Sequence, residues 1–209
     1  VNRANFRIIG VILAGGKGSR MHYQEKPLLA LGNKRVIDWI LQSASPQVEK
    51  LLLSVNKEPG LYATLHLPIV SDTLNNAGGP LAGIHAAMLW IRANDPDCTH
   101  LACFPGDVPW FDSDYVERIL QKMCEEHTRV GWLQTNLQCQ PLFSVWDMRL
   151  ESELGEALLK SVYSPMLFIQ SQLNSLVTLT NTATGHYLNL NTPDELAHAE
   201  RLLAAGLVS

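Results

Sequence analysis

The sequence predicts an α/β fold built around a mostly parallel sheet, and three observations lead there. Short apolar runs alternate with segments whose apolar residues recur at helical spacing. With 46% hydrophobic and 17% charged residues the composition is that of an ordinary globular protein. The 209 residues show no repeat, low-complexity stretch or linker, so one domain spanning 1–209 is expected.

The apolar runs read as strands at Ile8–Leu13, Leu51–Val55, Ile69–Val70, Leu101–Phe104, Val130–Leu133, Leu142–Val145, Val177–Leu179 and Tyr187–Leu188. Helical spacing places Val36, Ile37, Ile40, Leu41 and Ala44 on one face of a helix over 36–44. Leu81, Ile84, Met88 and Leu89 repeat in the same way after Gly79-Pro80, with the proline well placed in a first turn. A helix over 112–125 opens with Asp112 and Ser113 and turns Val116, Ile119, Leu120 and Met123 inward. Near the end, Thr192 caps, Pro193 takes the first helical position and Glu195 completes a capping box.

The formal net charge of −4 argues against a surface devoted to nucleic acid. It conceals an asymmetry. Residues 1–35 carry seven basic residues against the single acid Glu25, a net of +6 that leaves −10 for the rest. A small basic focus on an acidic body suits a compact polyanion such as a triphosphate. Cys98, Cys103, Cys124 and Cys139 show neither a Cys-x-x-Cys pair nor zinc spacing, so reduced thiols in a cytoplasmic protein are expected. The run Ile8–Ala14 is too short to span a bilayer, and no membrane partner is expected. Val1 stands where a Met would begin a chain, so the natural start is expected upstream.

Four motifs carry candidate chemistry. The first is Leu13-Ala14-Gly15-Gly16-Lys17-Gly18-Ser19-Arg20-Met21, followed by Lys26-Pro27-Leu28. Glycines after a strand permit a sharp turn and bring backbone N–H groups close to phosphate oxygens. Arg20 can fork onto two such oxygens, and Lys26 supplies a point charge. A Walker loop is excluded because position 11 is Val, and a dinucleotide fingerprint because position 21 is Met. The second is Asp107, expected just past the carboxyl end of a strand, where ligands of open α/β sheets bind. A carboxylate there suits Mg²⁺, although Asp also closes Pro/Gly turns. The third joins Asp72 to Gly78-Gly79-Pro80-Leu81-Ala82-Gly83, small residues that let a base or sugar lie against a helix N-terminus. The fourth is Asn189-Leu190-Asn191-Thr192-Pro193. Its two asparagines share a side of an extended segment and could hold a second substrate, or they could belong to a plain strand-to-helix turn.

In this order the motifs resemble those of the molybdenum cofactor guanylyltransferases, the MobA type, from residue 8 to about residue 200. The resemblance implies a Rossmann-like, three-layer nucleotidyltransferase fold. It implies transfer of GMP from Mg-GTP to the terminal phosphate of molybdopterin cofactor, with release of pyrophosphate, and transient contact with other proteins of cofactor biosynthesis. By carry-over Leu13, Ala14, Gly15 and Lys26 bind GTP, and Asp72 contacts the nucleoside. Asp107 binds Mg²⁺, and Gly16 and Arg20 belong to the catalytic loop beside Lys26. Gly79 and Gly83 line the nucleotide side, and Asn189 and Asn191 face the pterin. Leu-Ala-Gly-Gly resembles the guanylyl branch, whose cytidylyl relatives tend to carry Ala-Ala-Gly. A cytidylyl or sugar- or alcohol-phosphate transferase, and a non-catalytic nucleotide-binding descendant, are the alternatives. The chain departs from the family pattern at Gly106, which replaces a Cys, and at Ser54, which replaces an Asn two residues before Asn56. It departs again over Ser161–Phe168, where a basic stretch becomes one without Arg or Lys.

Overall fold

Strand β1 (Ile8–Leu13) runs through the middle of the protein, paired in parallel with β4 (Lys50–Ser54) on one side and β6 (His100–Pro105) on the other. The computed structural model describes residues 6–15, 25–72, 79–135, 138–180 and 182–208. Around β1 the sheet continues through β5 (Ile69–Val70), β7 (Val130–Thr135), β8 (Cys139–Asp147) and β9 (Asn174–Leu179) in the order β5-β4-β1-β6-β8-β7-β9. Only β8 runs antiparallel to its neighbours, so the expected mostly parallel sheet is present. A small hairpin, β2 (Ala30–Leu31) with β3 (Lys34–Arg35), stands apart from it.

Alternating side chains of β1 feed two cores, because successive residues of a strand point to opposite faces. Ile8 and Ile12 join the cluster under α1 (Val36–Ala44), α3 (Tyr115–Glu126) and α6 (Pro193–Ala204). Ile9 and Val11 join the cluster under α2 (Pro80–Asn94), α4 (Glu151–Leu159) and α5 (Pro165–Gln170). Helices on both faces of the sheet make the three layers. On the α3 side, Phe143 meets Tyr115 edge-on at 5.3 Å and Tyr187 at 4.9 Å. On the other side α5 is pinned by Phe168, stacked on Trp146 at 5.7 Å.

Two sequence expectations change. Tyr187–Leu188 forms no strand: Tyr187 has φ +63°, and its N–H donates to the Trp110 carbonyl at 2.9 Å instead of entering a ladder. Its apolar signal came from the ring, which is buried against Phe143. Helices α4 and α5 and the β2–β3 hairpin had no counterpart in the sequence reading. They are short, and α5 owes its place to tertiary stacking rather than to a long amphipathic repeat. The cap of α6 forms as read: Thr192 Oγ1 accepts from the Glu195 N–H at 3.3 Å, and the Glu195 carboxylate accepts from the Thr192 N–H at 2.8 Å.

Candidate active site

The chain leaves β1, builds β4 and β5 on one side, then crosses back to place β6 on the other. The strand order therefore reverses between β1 and β6, and such a switch point leaves a crevice at the carboxyl ends of the strands. A cleft of about 660 Å³ opens there. Leu13, Ala14 and Gly15 line it from the end of β1, Ser54, Asn56 and Lys57 from β4, and Asp72 from β5. Pro105, Gly106 and Asp107 reach it from β6, Gly79, Pro80 and Gly83 from the start of α2, and Lys26 and Pro27 from the segment before β2. Leu142 and Tyr163 close the far wall.

Backbone contacts fix these segments to one another. The Gly106 N–H donates to the Leu13 carbonyl at 3.0 Å, and the Ala14 N–H to the Ser54 carbonyl at 2.9 Å. A Cβ on residue 106 would lie 2.6 Å from that same Leu13 oxygen, so the exits of β1 and β6 meet this closely only with glycine between them. Gly79 caps α2 with φ +123°, a conformation that a residue with a side chain rarely adopts. Among the described residues no side chain caps the first turn of α2 and no acid sits in it, and this positive dipole end borders the cleft through Gly79, Pro80 and Gly83.

Lys26 is the cation at the centre. Its Nζ donates to Asn191 Oδ1 at 2.5 Å and lies 3.4 Å from Asp107 Oδ2. The side chains of Lys26 and Asp107 keep 17% and 25% exposure, which leaves both open to a ligand. A 3₁₀ turn over Lys26–Leu28 with Pro27 in its first turn sets the lysine. Asn191 is positioned from α6, since the Glu195 carboxylate also accepts from the Asn191 N–H at 2.7 Å. Asp107 is tied to the same segment, its carbonyl accepting from the Leu190 N–H at 2.8 Å. On the opposite wall Asn56 and Asp72 exchange two hydrogen bonds, while Asp72 Oδ1 is buried with no partner among the described residues. Burial pushes the Asp72 carboxyl above its usual range, opposed by the hydrogen bond from Asn56.

The residues singled out in the sequence therefore converge in large part. Leu13, Ala14, Gly15, Lys26, Asp72, Gly79, Gly83 and Asp107 line one cleft. Gly16 and Arg20 lie outside the described residues. The two asparagines part company: Asn191 reaches the cleft through Lys26, whereas Asn189 does not line it and keeps Oδ1 buried without a partner. Sequence reasoning missed Tyr163, Lys57 and Leu142, and placed Asn56 only as a neighbour of Ser54. The signal for Asn56 was the strand register: Ser54 pairs with Val70, so the residues two further on, Asn56 and Asp72, stand side by side.

Residues 10–173 match the MobA-like NTP transferase domain. The chain belongs to this family. Among relatives, the Mesorhizobium japonicum protein named molybdenum cofactor guanylyltransferase is 32% identical over 200 residues, covering 94% of this chain and 96% of its own. A protein of the same name from Rhodopseudomonas palustris is 30% identical and covers 92% of each chain. In fold, the MobA-like chain is similar to the crystal structure of molybdopterin-guanine dinucleotide biosynthesis protein A from Archaeoglobus fulgidus. That match has a TM-score of 0.75 at 21% identity and covers 95% of this chain and 99% of that one. Membership agrees with the resemblance read from the motifs, and the cleft lies where those motifs meet.

Proposed function

We propose that this protein transfers the GMP moiety of GTP to the terminal phosphate of molybdopterin cofactor, releasing pyrophosphate. The observation that carries this reading is the meeting of Gly15, Lys26 and Asp107 in one cleft at the carboxyl ends of β1 and β6, in a chain of the MobA-like family. In the reaction an oxygen of the acceptor phosphate attacks the α-phosphorus of GTP and a P–O bond forms. The bond from that phosphorus to the α,β-bridging oxygen breaks, and pyrophosphate leaves with the electron pair. The attacking phosphate is already anionic near neutral pH, so no general base is needed. The barrier lies in bringing anions together and stabilising the leaving group.

Lys26 supplies positive charge to the phosphates, with Asn191 fixing its ammonium. The N-terminus of α2 and the backbone at Gly15 offer N–H groups to the nucleotide, and Asp72 offers Oδ1 to a donor of the nucleoside. Arg20 and Gly16, which lie between Gly15 and Lys26 in the sequence, act on the phosphates, and Asn191 serves the acceptor side. Asp107 suits a divalent cation: its carboxylate is partly exposed, and its ion-pair partner among the described residues is a lysine at 3.4 Å. Asp107 is the residue that would hold an Mg²⁺, a cation that typically takes one or two protein carboxylates. When bound, Mg²⁺ would neutralise charge on the phosphates. No described helix is long and apolar enough to cross a membrane, and we place the reaction in the cytoplasm, where GTP is available.

Thermal-shift measurements against GTP, CTP, ATP and UTP with Mg²⁺ test the assignment, since a ligand that binds only the folded state raises its stability. The largest shift is expected with GTP. Equal shifts for all four, or the largest with CTP, would leave a nucleotide site but remove the guanylyl assignment.

A further inference from the structure

We propose that Asn56 is a positioning residue of the nucleotide site, holding one carboxylate oxygen of Asp72 so that the other meets a hydrogen-bond donor on the nucleoside. The inference rests on the guanylyltransferase reading and adds to it a residue that acts through Asp72. Asn56 Nδ2 donates to Asp72 Oδ2 at 2.8 Å, and the Asp72 N–H donates to Asn56 Oδ1 at 2.9 Å. Both ends of the amide are thereby engaged, so neither it nor the carboxylate can turn without losing a bond. The frame beneath is firm. The Val55 N–H donates to the Val70 carbonyl at 3.0 Å, and Ser71 Oγ donates to the Val55 carbonyl at 2.7 Å. The same amide borders Gly15, because a Cβ on Gly15 would lie 3.1 Å from Asn56 Nδ2. Asn56 thus joins the backbone at the end of β1 to the carboxylate that reads the nucleoside.

What remains unsatisfied is Asp72 Oδ1, buried and without a partner among the described residues. An ionised carboxylate only accepts hydrogen bonds, and leaving a buried acceptor unpaired is costly. The missing partner is an N–H or O–H donor, which a nucleoside supplies from the base amine or amide edge or from a ribose hydroxyl. The charged side chains lining the described cleft are Lys26, Lys57 and Asp107. None contributes to the Asp72 shift, which arises from burial acting against the Asn56 hydrogen bond. Removing that bond removes a stabiliser of the charged form. The Asp72 carboxyl then titrates at higher pH, and nucleotide affinity falls away sooner on acidification.

Asn56 is exposed, so replacing it leaves the core intact, and apo thermal melts check this. GTP affinity of the full chain, Asn56→Ala and Asn56→Asp is measured by calorimetry over roughly pH 5–8, with Asp72→Asn as the reference that lacks the titration. Affinity at neutral pH should fall about tenfold in Asn56→Ala, the scale of one hydrogen bond to a charged group. Its acid limb should move to higher pH, and further still in Asn56→Asp, where two carboxylates face each other. Inosine triphosphate lacks the exocyclic amine and 2′-deoxy-GTP lacks one ribose hydroxyl. The analogue missing the donor that Asp72 accepts should bind the full chain and Asn56→Ala alike, which separates base from sugar. Affinity within about twofold of the unmodified chain, with an unmoved acid limb, overturns the positioning role while leaving the guanylyltransferase reading in place. If the unmodified chain binds no GTP, that reading falls first and this inference with it.

Discussion

The two walls of the cleft are built differently. On the β4–β5 side the polar groups come as a fixed set: Asn56 locked to Asp72, Gly15 against the Asn56 amide, and an uncapped helix N-terminus beside them. On the α4–α5 side the wall is Leu142 and Tyr163, with Leu159 and Leu167 exposed nearby in sequence and no Arg or Lys over Ser161–Phe168. The first wall presents fixed hydrogen-bonding groups beside a helix start. The second offers apolar and aromatic surface, with Tyr163 40% exposed and its hydroxyl donating only to Ser161 Oγ at 3.3 Å. The difference puts Lys26 at the meeting of the two walls: its ammonium touches both Asp107 and, through Asn191, the α6 side.

The sharpest break of that comparison is Asp107→Ala. Transfer should fall on the order of 10²–10³-fold, the range for losing one charge-stabilising group, while the melting temperature holds because the side chain is outside the core. Pyrophosphate release under saturating substrates checks it, and a rate near that of the unmodified chain would place the metal elsewhere. Next comes Asn191→Ala. Facing the pterin alone, Asn191 would affect transfer and leave GTP affinity little changed. The bond from Lys26 changes that expectation: both should weaken, affinity by about tenfold, as for a hydrogen bond to a charged group. Unchanged GTP affinity in calorimetry would return Asn191 to the acceptor side alone. The smallest effect is expected for Tyr163→Ala. Losing a stacking face should raise the acceptor KM about fivefold, within the range of an aromatic contact, and leave GTP affinity as it was. A fall in GTP affinity instead would move Tyr163 to the nucleotide wall.

Much of this arrangement was legible before any coordinates. The apolar runs gave β1, β4, β6 and β7 nearly to their ends, because strands covered on both faces have little freedom in composition. Thr192-Pro193-x-Glu195 gave the start of α6, since its capping hydrogen bonds are local. Gly15, Asp72 and Asp107 could be named because each follows a strand, and strand ends are where a parallel sheet places its ligands. Tyr187–Leu188 misled for the opposite reason. Apolar character marks burial, but only tertiary packing decided that the Tyr187 ring would be buried from a residue at positive φ rather than from a strand.

By itself the sequence determined the elements, their order and the identity of the polar residues at strand ends, all properties of neighbours along the chain. The tertiary structure decided the partnerships. Lys26 and Asn191 are 165 residues apart, Lys26 and Asp107 are 81 apart, and nothing local to any of them encodes the contact. Even Asn56 and Asp72, only 16 apart, meet because parallel pairing of β4 with β5 sets the register of their ends. Which carboxylate is held, which is left open and which cation serves both walls follows from strand order and pairing, and those are long-range properties of the folded chain.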